Sequence, residues 1–249
     1  MKRRDRWRWI GGPVFVLLAV ALGLFIYAPV RHFEFLNFDD DIFISGNPWL
    51  KGGLSWASVQ WSFTANLVET SKWAEYWEPL TLLSRLADAQ ISGMNAGAFH
   101  VTSALLHLLN SVLLAAALWR LTGRWERSAL AALIFLMHPF GVEPACWLCA
   151  RKDLLSATFL FVTLLAYQGY ATKPSRGRYL LTLLAYCGAL MAKPMGVSIP
   201  CVMLVLDWWP LGRWQAAASD VLIVAVLAEP AHPSDPTRDA TAIPAPAGP

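Results

Sequence analysis

Apolar residues occur along this chain in six long blocks that carry almost no charge. The blocks cover residues 10–30, 98–121, 129–149, 154–170, 179–191 and 197–209. The first is about 21 residues long, enough for a helix to cross ~30 Å of hydrocarbon. The pattern predicts an all-α fold, a polytopic transmembrane helix bundle of about six spans. The last two blocks are short and are separated by Lys193-Pro194, so they fit either two short helices or a re-entrant pair.

The distribution of Lys and Arg predicts how the bundle is oriented. These residues are dense in the short segments 1–9, 120–128 and 171–178 and sparse in the long segment 31–97. Cytoplasmic loops carry the excess of Lys and Arg, so we expect a cytoplasmic N-terminus and an outer loop at 31–97 that faces the periplasm, or the lumen in a eukaryote. A basic start before an apolar block also fits a signal peptide. The first block is longer than a usual signal core, however, and we expect an uncleaved span.

Composition narrows the class of protein further. Hydrophobic residues make up 56% of the chain and charged residues 15%, with a net charge of +3, whereas soluble domains carry about 25% charged residues. This excludes a soluble enzyme, a disordered regulator and a nucleic-acid binder. The expected organisation is a basic N-terminus at 1–9, a transmembrane domain at 10–218, and a short apolar stretch followed by a disordered Pro- and Ala-rich tail at 219–249.

Three adjacent carboxylates, Asp39, Asp40 and Asp41, stand in the outer loop just after the first span. Solvation of the charges, or the capping of a following helix, would be an ordinary explanation for such a triplet. Here apolar Phe38 and Ile42 flank it close to the membrane surface, where ionised groups are costly unless they are used. Asp39 and Asp40 are therefore candidate catalytic residues.

The same loop is rich in Trp, a residue that prefers the membrane interface. We expect interfacial helices near 54–64 and 80–92 that form the walls of a site, with Trp77 and Glu78 as wall or acceptor-contacting residues. Cys146 and Cys149 are interpreted as packed thiols, because one such pair is a weak metal or redox signal.

A second polar cluster interrupts the third apolar block and is predicted on the same side as the acidic residues. Its members are His138, Glu143, Trp147, Arg151, Lys152 and Asp153. Ionisable groups in or near spans mark function by default, although Arg151 and Lys152 also fit a plain helix start at the interface. Lys193 adds another cation on the outer side. We expect Asp39 or Asp40 to share one cavity with His138, Glu143 or Arg151. His100 and His107, on one face of the second span, are expected to hold helices together.

Carboxylates beside an aromatic wall and several cations suit a lipid-borne substrate with an anionic headgroup. A carboxylate would act as general base on an acceptor hydroxyl, and Asp40, the central member of the triplet, is favoured. Arg or Lys would neutralise the leaving phosphate. The side chain of Trp147 would form part of the aromatic wall of this site.

Several strings in this chain occur together, in this order, in one known family. They are Phe35-Leu36-Asn37-Phe38-Asp39-Asp40-Asp41, Trp77-Glu78-Pro79-Leu80-Thr81, Phe99-His100, His138-Pro139 with Val142-Glu143, Trp147 with Arg151-Lys152-Asp153, Ala192-Lys193-Pro194, and Asp207-Trp208-Trp209-Pro210. Over residues 10–213 the chain resembles the transmembrane and tetratricopeptide-repeat proteins related to the protein O-mannosyltransferases, in their bacterial form. These belong to the C-type glycosyltransferase superfamily.

The resemblance implies a polyprenyl-phosphate sugar donor, a protein or glycan acceptor, inversion at the sugar carbon, and a place in the bacterial inner (plasma) membrane with the first loop in the periplasm. It matches Asp39 and Asp40 to the acidic catalytic pair. It matches a second set to the donor-side polar cluster, namely His138, Glu143, Arg151 and Lys152. No cofactor is implied with certainty, and the acidic cluster allows a divalent metal.

The chain also departs from the family pattern. Glu78 stands where His or Arg is expected, and Gly141 replaces a polar residue. The resemblance ends near Arg213, whereas the family continues with more spans and helical repeats, so we expect a truncated member. A non-catalytic membrane fragment or subunit, and a transporter whose acidic cluster binds an ion, remain as alternatives.

Overall fold

The computed structural model describes residues 3–67, 71–74 and 76–214, and all elements discussed below lie in the compact unit Met1–Leu211. Those described residues are all-helical and contain no strand. The helices are α1 (Arg3–Tyr27), α2 (Pro48–Lys51), α3 (Trp56–Thr64), α4 (Pro79–Ser92), α5 (Ala96–Thr122), α6 (Trp125–Met137), α7 (Val142–Cys146), α8 (Arg151–Thr172), α9 (Arg176–Ala192) and α10 (Ile199–Trp208). The predicted tail at 219–249 lies outside the described residues.

The predicted all-α class is confirmed, whereas the predicted number of about six spans is not. Among the described residues, three helical segments are long and apolar enough to cross a membrane: Gly11–His32, Ala96–Thr122 and Leu148–Thr172. A fourth span results if α6 and Pro139–Cys146, which are bent by 61° relative to each other, count as one. Helix α9 has 17 residues, or ~26 Å of helix, short of ~30 Å of hydrocarbon.

Proline explains where the apolar blocks are interrupted. The block at 129–149, predicted as one span, stops being α-helical at His138, before Pro139. The last two blocks are likewise separated at Lys193, and a short 3-10 turn, Pro194–Ser198, precedes α10. Proline restricts the residue before it to extended conformations and lacks the N–H that a continuing helix needs.

Helix α5 is the centre of the bundle, packing against α1, α6 and α8, while α8 packs against α9. Its inward face carries a polar stripe that contacts backbone carbonyls of two other helices and of the segment that follows the first span. His107 Nε2 lies 3.3 Å from the carbonyl oxygen of Leu136, and Asn110 Nδ2 donates to that of Leu154 at 2.8 Å. His100 Nε2 similarly lies 3.2 Å from the carbonyl of Glu34. These contacts confirm the expectation that the polar face holds helices together.

Helices α5 and α8 run in the same direction, which gives the bundle two distinct ends. At one end Arg151, the first residue of α8, contacts Ser103 of α5. At the other end Gln168 of α8 donates to the carbonyl of Arg120 at 2.6 Å. We call these the acidic end, which includes Asp40, and the basic end, where the α5–α6 and α8–α9 turns lie. The basic end carries Arg120, Arg124, Arg127, Lys173, Arg176 and Arg178.

Candidate active site at the acidic end

The acidic triplet places its three carboxylates in three different environments. Asp39 has a φ of +68° and is half-buried, Asp40 is fully buried, and Asp41 is exposed. The backbone N–H groups of Ile42 and Phe43 both donate to the carbonyl of Asp39, at 3.1 and 2.8 Å, and close a tight turn. Residues other than glycine seldom adopt positive φ, although Asp and Asn tolerate it best, and such conformations concentrate at functional sites.

The carboxylate of Asp40 is fixed by two protein donors. Its Oδ2 accepts from the backbone N–H of Leu36 at 3.1 Å, and its Oδ1 accepts from the thiol of Cys149 at 3.2 Å. Cys149 is buried and Cys146 is half-buried, and neither forms a disulfide bond. The thiol of Cys149 therefore helps to orient the acidic turn, although it lies 109 residues away from Asp40 in the sequence.

Helix α4 brings two charged residues to this region that the sequence analysis missed. Thr81, Arg85 and Asp88 are spaced i, i+4 and i+7, so they share one helix face, and all three are buried. Arg85 Nη2 donates to the carbonyls of Leu148 and Cys149, at 3.4 and 3.2 Å. Arg85 thus holds the short turn that presents the Cys149 thiol to Asp40.

Glu78, predicted as a wall or acceptor contact, is buried at the start of α4. Its Oε1 lies 3.9 Å from Arg85 Nη1, so the carboxylate forms an ion pair with the guanidinium. A carboxylate stands here in place of the His or Arg expected from the family pattern. The structure pairs it with Arg85, which is seven residues further along the chain and two turns into α4.

Arg151, predicted to hold a donor phosphate, is fully buried, and its guanidinium is already engaged by three groups. It donates to Asp88 Oδ2 at 2.5 Å, to the carbonyl of Phe99 at 2.6 Å and to the hydroxyl of Ser103 at 3.1 Å. This placement favours a structural role for Arg151 over the predicted phosphate contact.

The buried charges form one connected group, which we call the buried charge cluster. It consists of Asp40, Glu78, Arg85, Asp88 and Arg151. The positive charge of Arg151 is attracted by Asp88 and Asp40 and repelled by Arg85, and the second oxygen of Asp88 accepts from Thr102 at 2.8 Å. Buried ions are stable only when they are paired and hydrogen-bonded. The cluster therefore links α4, α5 and α8 to the acidic turn.

The remaining predicted cations lie nearer the surface. Lys193 forms an ion pair with Asp153, and the two side chains are 24% and 43% exposed. Lys152 Nζ lies 5.1 Å above the ring of Tyr76 in the outer loop. Both lysines thus lie near the N-terminus of α8. Lys152 directly follows Arg151, and Lys193 is paired with Asp153 in the same turn.

The members of the second polar cluster divide between two cavities. Glu143 and Trp147 line a cavity of about 650 Å³ together with Leu36, Asn37 and His100. His138 instead lines a cavity of about 450 Å³ between α5, α6 and α8, whose walls include Ile134, Phe135 and Asp153. The cavity at Glu143 adjoins Asp40, because Leu36 lines it and donates to Asp40. His138 and Glu143 therefore line two different cavities of the described residues.

The predicted aromatic wall corresponds to α3 and α4. Trp77 donates from Nε1 to the carbonyl of Phe63 at 2.9 Å, and Trp147 Nε1 lies 3.4 Å from the carbonyl of Phe38. Trp49 and Trp61 stack with their ring centroids 5.4 Å apart. The Trp147 contact joins the second polar cluster directly to the residue that precedes Asp39.

The unexpected glycine at 141 has a steric explanation. A Cβ atom there would lie 2.8 Å from both Cε1 and Nε2 of His107, closer than carbon and nitrogen atoms pack. The His107 ring fills the space that the polar residue of the family pattern would need. Among the described residues, no group of three or more His, Cys, Asp or Glu side chains is placed to bind a metal ion.

Sequence comparison finds relatives that are all described as protein O-mannosyl-transferases. The chain is 27% identical over 198 residues to the protein O-mannosyl-transferase TMTC2 of Mus musculus, a match that covers 77% of this chain and 23% of the relative. It is 27% identical over 218 residues to TMTC1 of Mus musculus, covering 82% and 23%. It is 27% identical over 159 residues to TMTC4 of Homo sapiens, covering 55% and 22%.

The chain thus spans less than a quarter of the length of these relatives. No family model matches it, and no solved structure does. On this similarity, and with its all-helical, membrane-type fold, the chain is related to the protein O-mannosyl-transferase family.

Proposed function

We propose that this chain acts as a membrane glycosyltransferase that moves a sugar, with mannose the leading candidate, from a polyprenyl-phosphate donor to a protein or glycan hydroxyl. The observation that carries the proposal is the acidic turn. Asp39 is half-buried on a strained backbone and is held in place by Asp40, whose two oxygens are both fixed. The relation to named O-mannosyl-transferases supports the same reaction class.

Asp39 is the proposed general base, in preference to Asp40. A base must reach the proton that it removes, and the Asp40 carboxylate is 0% exposed and already accepts from two donors. In the proposed step, Asp39 takes the proton from the acceptor hydroxyl while that oxygen bonds to the anomeric carbon of the sugar. The bond from this carbon to the phosphate oxygen breaks, and polyprenyl phosphate leaves as the anion.

The cavity at His138 is the proposed site for the donor's lipid chain. Its walls are largely apolar, and Asp153 at its edge is paired with Lys193. A phosphate at this position would compete with Asp153 for the Lys193 ammonium and lie close to Lys152. Cations held there would stabilise the leaving phosphate. Arg151 is assigned a positioning role instead, because its guanidinium is engaged within the protein.

The proposed donor site predicts a defect in donor use in the Lys193→Gln variant. In proteoliposomes containing the 249-residue chain and a polyprenyl-phosphate mannose donor, KM for the donor should rise at least ~10-fold, because one charge-assisted contact is lost. The rate at saturating donor should change much less. Radiolabel transferred to an acceptor peptide is the measurement.

Lys173→Gln is the matched control, because it removes one lysine at the basic end. An unchanged donor KM in Lys193→Gln would overturn the assignment of the phosphate site. Absence of transfer by the wild-type chain, with the protein inserted and folded, would overturn the proposed activity itself.

We further propose that the protein lies in a bacterial plasma membrane with its N-terminus in the cytoplasm and the acidic end outside. The support is the dense Lys and Arg content of the basic end. In a variant whose four cysteines are replaced, a cysteine introduced at Arg124 should react with an impermeant maleimide only after cells are opened. A cysteine at Ser71 in the outer loop should react in intact cells. Labelling of position 124 from outside would refute this topology.

A further inference from the structure

A third cavity lies at the basic end of the bundle, far from the acidic turn. Its volume is about 450 Å³, and it is bounded by the end of α5, the start of α6 and the residues that follow α10. Its lining includes Leu118, Leu121, Arg124, Arg127, Ser128 and Trp209. None of these residues takes part in the site proposed above.

The two arginines give this cavity an excess of positive charge. Arg124 and Arg127 are three residues apart at the start of α6, so their side chains are surface neighbours. Both are exposed, and within the described part of the chain neither guanidinium has an ion pair or hydrogen bond. Glu126, between them in the sequence, does not line the cavity. Two guanidinium groups around one space repel each other unless an anion lies between them.

The other walls of the cavity have the apolar and aromatic composition that is typical of a lipid-binding site. Leu118 and Leu121 supply an apolar side, and Trp209, which is 65% exposed, adds an aromatic ring. Tryptophan favours the level of the lipid headgroups, where an apolar surface meets a polar one. Basic pockets between membrane helices are typical binding sites for anionic headgroups, and guanidinium binds phosphate through paired hydrogen bonds.

We infer that this cavity binds the phosphate headgroup of an anionic phospholipid, with the glycerol and upper acyl carbons against Leu121 and Trp209. The ligand chemistry is a phosphodiester anion beside an apolar chain. Arg124 and Arg127 would supply the anion contacts. This inference does not depend on the proposed transferase activity, because the cavity is at the opposite end of the bundle.

Lipid binding to the full chain by native mass spectrometry tests the inference. The purified protein is titrated with phosphatidylglycerol or with phosphatidylcholine of the same acyl chains. The wild type should retain phosphatidylglycerol preferentially. The Arg124→Gln/Arg127→Gln variant should lose at least ~10-fold in affinity for it, because two charge-assisted contacts disappear. The Arg124→Lys/Arg127→Lys variant should fall between the two, since it keeps the charge and loses the paired geometry.

The matched control is Lys173→Gln/Arg176→Gln, which removes two exposed cations from the other turn of the basic end. An equal loss in this control would mean that total charge, and not the cavity, attracts the lipid, and would overturn the inference. Equal binding of the two lipids by the wild type would do the same. Displacement of bound phosphatidylglycerol by millimolar inorganic phosphate would assign the cavity to a free anion. Should the Gln pair fail to fold, the Lys pair supplies the same comparison.

Discussion

Replacing Asp39 with Asn is expected to lower the rate of sugar transfer at least ~100-fold, the usual contribution of a general base. Folding should be unaffected, because the left-handed backbone at φ +68° suits Asn as well as Asp. The new side chain has nearly the same shape but no basic oxygen with which to take the proton. Transfer from a polyprenyl-phosphate mannose donor in proteoliposomes measures the rate, and thermal unfolding in detergent measures stability.

Asp40→Asn should behave differently from Asp39→Asn. Asp40 is fully buried and accepts from Leu36 and Cys149, so the NH2 group of Asn would meet one of these two donors and could not accept from it. Leaving a buried polar group badly paired costs about 1–3 kcal/mol. We therefore expect a lower unfolding temperature, with a loss of rate that follows from the displaced acidic turn.

Asp41→Asn is the control for both variants, because it removes the same charge from the exposed neighbour and should change neither quantity. A wild-type rate in Asp39→Asn would rule out Asp39 as the base. A 100-fold loss in Asp40→Asn at unchanged stability, with Asp39→Asn active, would move the role to Asp40. Cys149→Ser, which keeps a donor for Asp40, should retain more activity than Cys149→Ala.

The sequence was sufficient to locate the helices, because their positions follow from local composition. Each of the six apolar blocks coincides with helical segments, and both interruptions lie directly before a proline, at His138 and Lys193. The number of spans did not follow in the same way. It depends on helix length and on bending, and hydropathy does not give the size of the 61° bend that follows α6 at Pro139.

The candidate site could be predicted only in part. The acidic turn was visible because charge beside a membrane is costly, but the environment of each carboxylate was not. Arg85 and Asp88 were missed because helix 80–92 fitted an interfacial wall, and the partner of Asp88 lies 63 residues further on. The regular spacing of Thr81, Arg85 and Asp88 on one face of an otherwise apolar helix was the available signal.

The chain offers a direct comparison between a buried and an exposed ion pair, both made by the first turn of α8. Arg151 is 0% exposed and pairs with Asp88, whereas Lys193 and Asp153 are 24% and 43% exposed. Removing the partner of a buried charge costs about 3–5 kcal/mol, because the charge is left uncompensated. Breaking an exposed pair costs about 0–1 kcal/mol, because water replaces the lost partner.

Asp88→Ala should therefore destabilise the bundle by about 3–5 kcal/mol, and Asp153→Ala by at most about 1 kcal/mol. The free energy of unfolding in mixed detergent micelles is the measurement. The double variant Asp88→Ala/Arg151→Met should recover much of the loss, since it removes the orphaned guanidinium along with its partner. Equal effects of Asp88→Ala and Asp153→Ala would show that the buried charge cluster does not hold α4 against α8. The acidic turn would then need another support, because Arg85 holds Cys149, whose thiol donates to Asp40, only while those helices stay packed together.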